Sequence, residues 1–292
     1  DEALGGILAH SQRVGERMIR KGSLLDGDMI AALRASGRTE VICARLEPGD
    51  VPEDIAADRL ATPFVSPLVA RSRAATGRVN LSAEVPGLLR IDTAAIDRLN
   101  TIDEALTVGT LPDYAVVASK DLVATIKVVP LSVPGKVLTV AEALVRQGGS
   151  PIRLYPFQHL KVGLVVTELP GLKSSVTDKT IAVTDQRVTH LTGTLLPPVR
   201  CNHDEESVAK ALDKLLADGA DLLLVIGASA VVDRRDVGPA GIVRAGGEIE
   251  HFGMPVDPGN LICLGRLHDR PALVLPGCAR SAVLNGIDFV LS

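Results

Sequence analysis

The stretch "ADLLLVIGASAVVDRRDVGPAG", Ala220–Gly241, decides how the chain is read. Its unbroken apolar run, Leu222–Ile226, is what a strand looks like when both faces of its sheet are covered. Gly227 ends the run. Asp233, Arg234, Arg235 and Asp236 then crowd the strand's exit, and "VGPAG" opens a predicted helix from about Pro239 to Ala245. Strand, charged turn and helix in that order make one step of a parallel α/β sheet.

The same rhythm extends both ways. "KVGLVVTEL" predicts a strand, 174–191 a helix stopped by Gly193, "TLLPPVR" a strand, and "DEESVAKALDKLLADG" an amphipathic helix. "EIEHFGM", "LICLGRL" and "PALVLPG" predict three short strands, with a last helix beginning near Arg280. Alternation of this kind implies βαβ units and a mostly parallel sheet with helices on both faces. The closing "SAVLNGIDFVLS" keeps helical spacing without a stop signal, which predicts that the chain continues past Ser292. Its opening on Asp1 rather than Met predicts a start further upstream.

Upstream of residue 157 the rhythm is different. "SPIRLYPFQHL" carries two prolines and marks a boundary between a domain at 1–156 and one at 157–292. The first is expected to be a smaller α+β domain. In it "DGDMIAALRASG" predicts a helix capped by Asp26, "TEVICARL" a strand, and "PEDIAADRLA" a helix with Pro52 at its first position. "RVNLSAEVPGLLRID" predicts two strands around Pro86-Gly87, "DLVATIKVVPLSV" a long strand, and "GKVLTVAEALVRQGG" a helix.

Composition narrows the function. Hydrophobic residues make up 46% of the 292 but aromatic ones only 2%, so the core is aliphatic and stacking platforms for bases are missing. A net charge of −4 without a basic stripe argues against nucleic acid as a partner. No apolar run is long enough to span a bilayer, and no signal peptide is visible. Cys43, Cys201, Cys263 and Cys278 are scattered without a C-x-x-C pair, as expected of free thiols in a reducing cytoplasm. The histidines have no zinc-site spacing.

In a parallel sheet, ligands bind outside the carboxyl ends of the strands. Four such ends are predicted, after Thr167, Val199, Ile226 and Leu275. Two of the loops that follow suit an anion. "KSSVTDKT" puts Ser174, Ser175 and Thr177 at a helix start, and "PGCARS" puts Gly277 and Ser281 at another. Open backbone N–H groups and the helix dipole favour phosphate there; plain capping by Ser and Gly is the alternative. Asp236 has two readings as well: a cap for the next helix, or with Asp233 an acidic pair able to hold Mg²⁺ against a phosphate. Cys278, at a predicted helix start, is either a thiol of lowered pKa or a small turn residue.

Residues 160–292 resemble the molybdopterin-binding domain of molybdenum-cofactor biosynthesis, shared by molybdopterin adenylyltransferases, molybdotransferases and the two catalytic domains of gephyrin. The resemblance lies in four motifs in order: Asp178 in "SVTDKT", the turn "GASAVVDRRDVGPAG", the Pro-Gly segment "MPVDPGN", and the Leu-Pro-Gly turn "VLPGCARSAVLNG". Residues 10–51 are also similar to the segment that precedes this domain in molybdotransferases. Ala228 stands where the family usually has a second glycine, Asn260 where molybdotransferases often have lysine, and Cys278-Ala279 where Asn-Pro or Ser-Pro is common.

The resemblance implies a molybdopterin-binding fold and molybdopterin, a pterin phosphate, as substrate or ligand, with Mg²⁺ and an ATP or AMP moiety. The reaction would be adenylylation of molybdopterin or insertion of molybdate; a non-catalytic carrier of the cofactor is the alternative. Asp236 and Asp233 would be catalytic, with Asp236 on the metal. Ser174, Ser175, Asp178, Gly227, Ser229, Arg235, Pro276, Gly277, Cys278 and Ser281 would hold the cofactor. Relatives form dimers or trimers, so a homo-oligomer is expected.

Overall fold

The computed structural model describes residues 2–171 and 173–292. The chain divides into two compact units, 1–156 and 157–292. The first is the longer, not the smaller one expected. It is α+β, with an antiparallel sheet in the order Val69–Arg71, Arg78–Ala83, Leu122–Val128, Leu106–Thr110 and a second in the order Val116–Val117, Gly87–Ile91, Ile152–Pro156. The helices Glu53–Ala61 and Gly135–Gly148 contribute Leu60, Leu138 and Val145 to its aliphatic core. Three local expectations change. "TEVICARL" forms a strand only at Cys43–Ala44, and Pro52 caps its helix rather than opening it. The helix Thr93–Asn100, capped by Asp92, was not foreseen.

The second unit is α/β. Its elements are β1 (Lys161–Glu168), α1 (Ser174–His190), β2 (Thr194–Leu195), β3 (Val199–Asn202), α2 (Glu205–Ala217) and β4 (Leu222–Ile226). They continue with α3 (Val237–Arg244), β5 (Glu248–Phe252), β6 (Cys263–Leu267), β7 (Arg270–Leu275) and α4 (Gly286–Leu291). β1 pairs in parallel with β2, β3 and β4, and β4 with β7; β6 and β5 complete that edge as antiparallel strands.

Both faces of this sheet are covered, which is why β1 and β4 read as unbroken apolar runs. Because side chains alternate along a strand, successive residues enter different cores. Val165, Leu223 and Val225 pack with Val208, Leu212 and Leu215 of α2 and Ile242 of α3. Leu164, Val166, Leu224 and Ile226 pack with Val188 of α1 and Ile287 of α4. Each fully buried side chain of this size is worth about 1.5–3 kcal/mol relative to exposure.

Two expected elements differ here. "TLLPPVR" is two strands, because Pro197 and Pro198 have no N–H to give a ladder. The last helix does not begin near Arg280. Gly277–Arg280 is a short 3-10 turn, and α4 starts only at Gly286. Asn285 sets that start with a capping box: its side chain accepts from the Ile287 N–H, and Asp288 accepts from the Asn285 N–H.

Candidate functional site

β3, β1, β4 and β7 are all parallel, so their carboxyl ends lie on one edge. The registers align them there: Glu168 opposite Asn202, Val166 opposite Ile226, and Ile226 opposite Leu275. The loops after these strands therefore gather as the βαβ pattern required, although β3 ends at Asn202 rather than Val199.

The turn after β4 is tied to its neighbours from both sides. Arg280, beyond β7, donates from Nη2 to the Gly227 carbonyl at 2.6 Å. Its Nε is buried without a hydrogen-bond partner. On the other side, Thr167 near the end of β1 accepts the Ala228 N–H at 2.7 Å and lies 2.7 Å from Nδ1 of His203. Nε2 of His203 lies 2.8 Å from the Ser229 hydroxyl. Space at Gly227 is tight: a Cβ on it would lie 3.1 Å from the Ser229 carbonyl oxygen. Ala228 is not among the residues of positive φ, so an alanine there puts no left-handed strain on the turn.

Asp236 sits at the N-cap position of α3 but does not cap it with its side chain. Its carboxylate folds back and accepts the N–H groups of Val232 and Asp233. These two bonds, with His203 nearby, hold its pKa below the ordinary carboxylate value. Asp233 in turn accepts the Arg235 N–H at 2.6 Å. Arg235 projects into solvent, whereas Arg234 reaches over to the Ile249 carbonyl. Asp233 and Asp236 are thus bonded within the turn, Arg234 is bonded outside it, and the Arg235 guanidinium is left exposed.

Ser174 and Ser175 are exposed in the first turn of α1. Lys173 holds the cap position with no side-chain bond to the helix, so capping by serine does not occur. Asp178 lies one turn further on and is paired with Arg200 of β3, which also approaches Glu168 at 3.6 Å. This pair borders an open cavity of about 430 Å³ between α1 and the Leu195–Pro198 segment. Asp178 is therefore engaged by Arg200, and among the described residues no hydrogen bond joins it to the Gly227–Asp236 turn.

Pro276, Gly277, Cys278 and Ser281 belong to the 3-10 turn and its exit. That turn is held from α1: Arg187 donates to the carbonyls of Ala279 and Ser281 and pairs with Asp288. A cradle at the start of a full helix is accordingly not present at Gly277. Burial pushes the Cys278 thiol up rather than down, the reverse of a reactive helix-start cysteine. Burial likewise raises Cys201 and Cys263 to about 11. All four cysteines are free.

Thr167, His203 and Arg187 carry no motif in the sequence that marks them for this site. His203 was visible in the strand-exit loop "RCNHDEES", but nothing in its spacing connected it to Ser229. Among the described residues there is no cluster of three or more His, Cys, Asp or Glu side chains able to hold a metal ion. A Mg²⁺ at Asp236 would need further oxygens from a bound phosphate. No helix among the described residues is long and apolar enough to cross a membrane.

No protein-family model matches the chain, and no curated protein matches it. Among solved structures, it is similar to a Corynebacterium diphtheriae protein named for a provisional role in molybdenum cofactor biosynthesis. The two share 14% identity over 46% of this chain and 91% of that one, with a TM-score of 0.29. A likeness this distant carries no weight for function.

Proposed function

We propose that residues 157–292 bind a phosphorylated pterin, molybdopterin, at the carboxyl edge of the parallel sheet, as a step in molybdenum-cofactor assembly. The family-like turns at Gly227–Asp236 and Pro276–Ser281 both leave the sheet on this edge. The observation that carries the reading is Arg280. Its guanidinium joins the two turns through the Gly227 carbonyl and keeps a buried, unpartnered Nε–H. A cation with an unmet donor is suited to a phosphate.

Two backbone N–H groups stabilise the charged form of Asp236 and lower its pKa. Asp236 would be the catalytic carboxylate of the same site. It could hold Mg²⁺ against the ligand's phosphate, where chemistry is mainly charge neutralisation and positioning. Adenylylation would then need ATP, and molybdate insertion would need molybdate.

Calorimetric titration with molybdopterin, with and without Mg²⁺, tests the binding. Arg280→Gln should weaken it roughly tenfold or more, the factor of one charge-assisted hydrogen bond. Unchanged affinity in Arg280→Gln would overturn the assignment. Turnover with ATP and Mg²⁺, or with molybdate, separates enzyme from carrier. Asp236→Asn should abolish that turnover while Asp233→Asn spares most of it.

A further inference from the structure

We propose that His203 is the positioning residue of this site, which orients Ser229 to donate its hydroxyl proton to the bound anion. The inference rests on the reading that the edge binds a phosphorylated ligand.

Donor and acceptor counting fixes the direction of the chain. Thr167 is fully buried, and its hydroxyl has one proton to give. Its bond to the Ala228 N–H uses the oxygen as acceptor. A buried hydroxyl proton needs an acceptor, and Nδ1 of His203, 2.7 Å away, is the one the Thr167 hydroxyl meets. With Nδ1 accepting, the ring N–H lies on Nε2 and donates to Ser229 across 2.8 Å. Ser229 receives a hydrogen bond on oxygen and keeps its own proton for an outside acceptor.

Two consequences follow. His203 cannot serve as the base that activates Ser229, because its basic nitrogen faces Thr167. With no base in His203, Ser229 serves this site as a binding group. The second consequence is rigidity. The backbone of His203 is pinned by its N–H to the Glu168 carbonyl at 3.1 Å. The chain Thr167–His203–Ser229 thus ties β1, the loop after β3 and the turn after β4 into one unit, and each bond polarises the next.

The test is a double-mutant cycle read by titration with molybdopterin and with inorganic phosphate. Ser229→Ala should weaken binding about tenfold or more. His203→Asn leaves an acceptor for Thr167 but removes the donor to Ser229, and should weaken it by a similar factor. The double variant should bind no more weakly than Ser229→Ala alone, because His203 acts through Ser229. His203→Gln, which can still reach Ser229 with an N–H, should restore most of the affinity.

Independent, additive losses would overturn the proposal. Nitrogen-15 NMR of the ligand-free protein adds a readout that needs no ligand: His203 should carry its proton on Nε2. A proton on Nδ1 refutes the inference even if binding is normal. An Nε2 proton together with no binding of either probe refutes the functional reading instead.

Discussion

Gly259 and Gly286 meet backbone to backbone. A Cβ on Gly259 would lie 2.5 Å from both the amide nitrogen and the Cα of Gly286, and the Gly286 N–H donates to the Pro258 carbonyl at 2.9 Å. The Pro-Gly motif therefore seats the first turn of α4. Gly259 also has φ +125°, where other residues are strained.

Gly286→Ala should accordingly destabilise the second unit by about 1–3 kcal/mol, the usual cost of overpacking. Its new methyl would meet Val256 at 2.7 Å and the Gly259 Cα at 3.0 Å. Gly259→Ala adds backbone strain of about 1–3 kcal/mol to the clash and should cost more. Denaturant melts of the two variants give both magnitudes and their order. Equal stability with the parent would show that the backbones part at little cost.

The bonds of Asp236 to Val232 and Asp233 make a pH prediction. Its pKa is lowered in the folded chain from the ordinary 3.8. A depressed carboxylate contributes stability that is present above the unfolded value and lost as pH falls through the folded one. Asp236→Asn keeps an acceptor for the two N–H groups but has no charge to lose. Its melting temperature should fall less than the parent's between neutral pH and pH about 3. Asp113, Asp204 and Glu206 are also depressed but are common to both proteins, so only the difference between the curves reports on Asp236. Parallel curves would reject the claim.

The parallel sheet was legible because its signal is local. Each of β1 and β4 is a run of apolar residues that announces two covered faces. The edge that gathers the turns then follows from topology. The pairs at that edge were not legible, because they join residues far apart in sequence: Thr167 with His203, Arg280 with Gly227, Arg187 with Ser281. Residue type sufficed to nominate Asp236, while Ser229 came only from the family resemblance; nothing in the spacing says which N–H an aspartate will accept. The start of α4 failed for a related reason. "CARSAVLNG" has helical spacing, yet Arg187 from α1 draws the carbonyls of Ala279 and Ser281 away from any helix. Asn285 then supplies a better cap.

Arg187 should be the most costly charged residue to remove from the second unit. Its side chain is only 10% exposed, and it serves Asp288 at 2.7 Å and the carbonyls of Ala279 and Ser281. Arg187→Ala leaves all three acceptors short of a donor, with Asp288 still charged in a partly buried place. Breaking a buried pair from one side costs about 3–5 kcal/mol. Asp288 is 24% exposed and regains some water, so a loss of roughly 2–4 kcal/mol is expected. Arg187→Lys keeps the charge but cannot span three acceptors with one ammonium, and should recover only part of that loss. The same substitutions should loosen Pro276–Ser281 and, with it, the Arg280 contact to Gly227. Urea melts measure the stability, and amide hydrogen exchange at Ala279 and Ser281 measures the loosening. Stability restored in full by lysine would show that charge alone, and not the three-way geometry of the guanidinium, holds the turn.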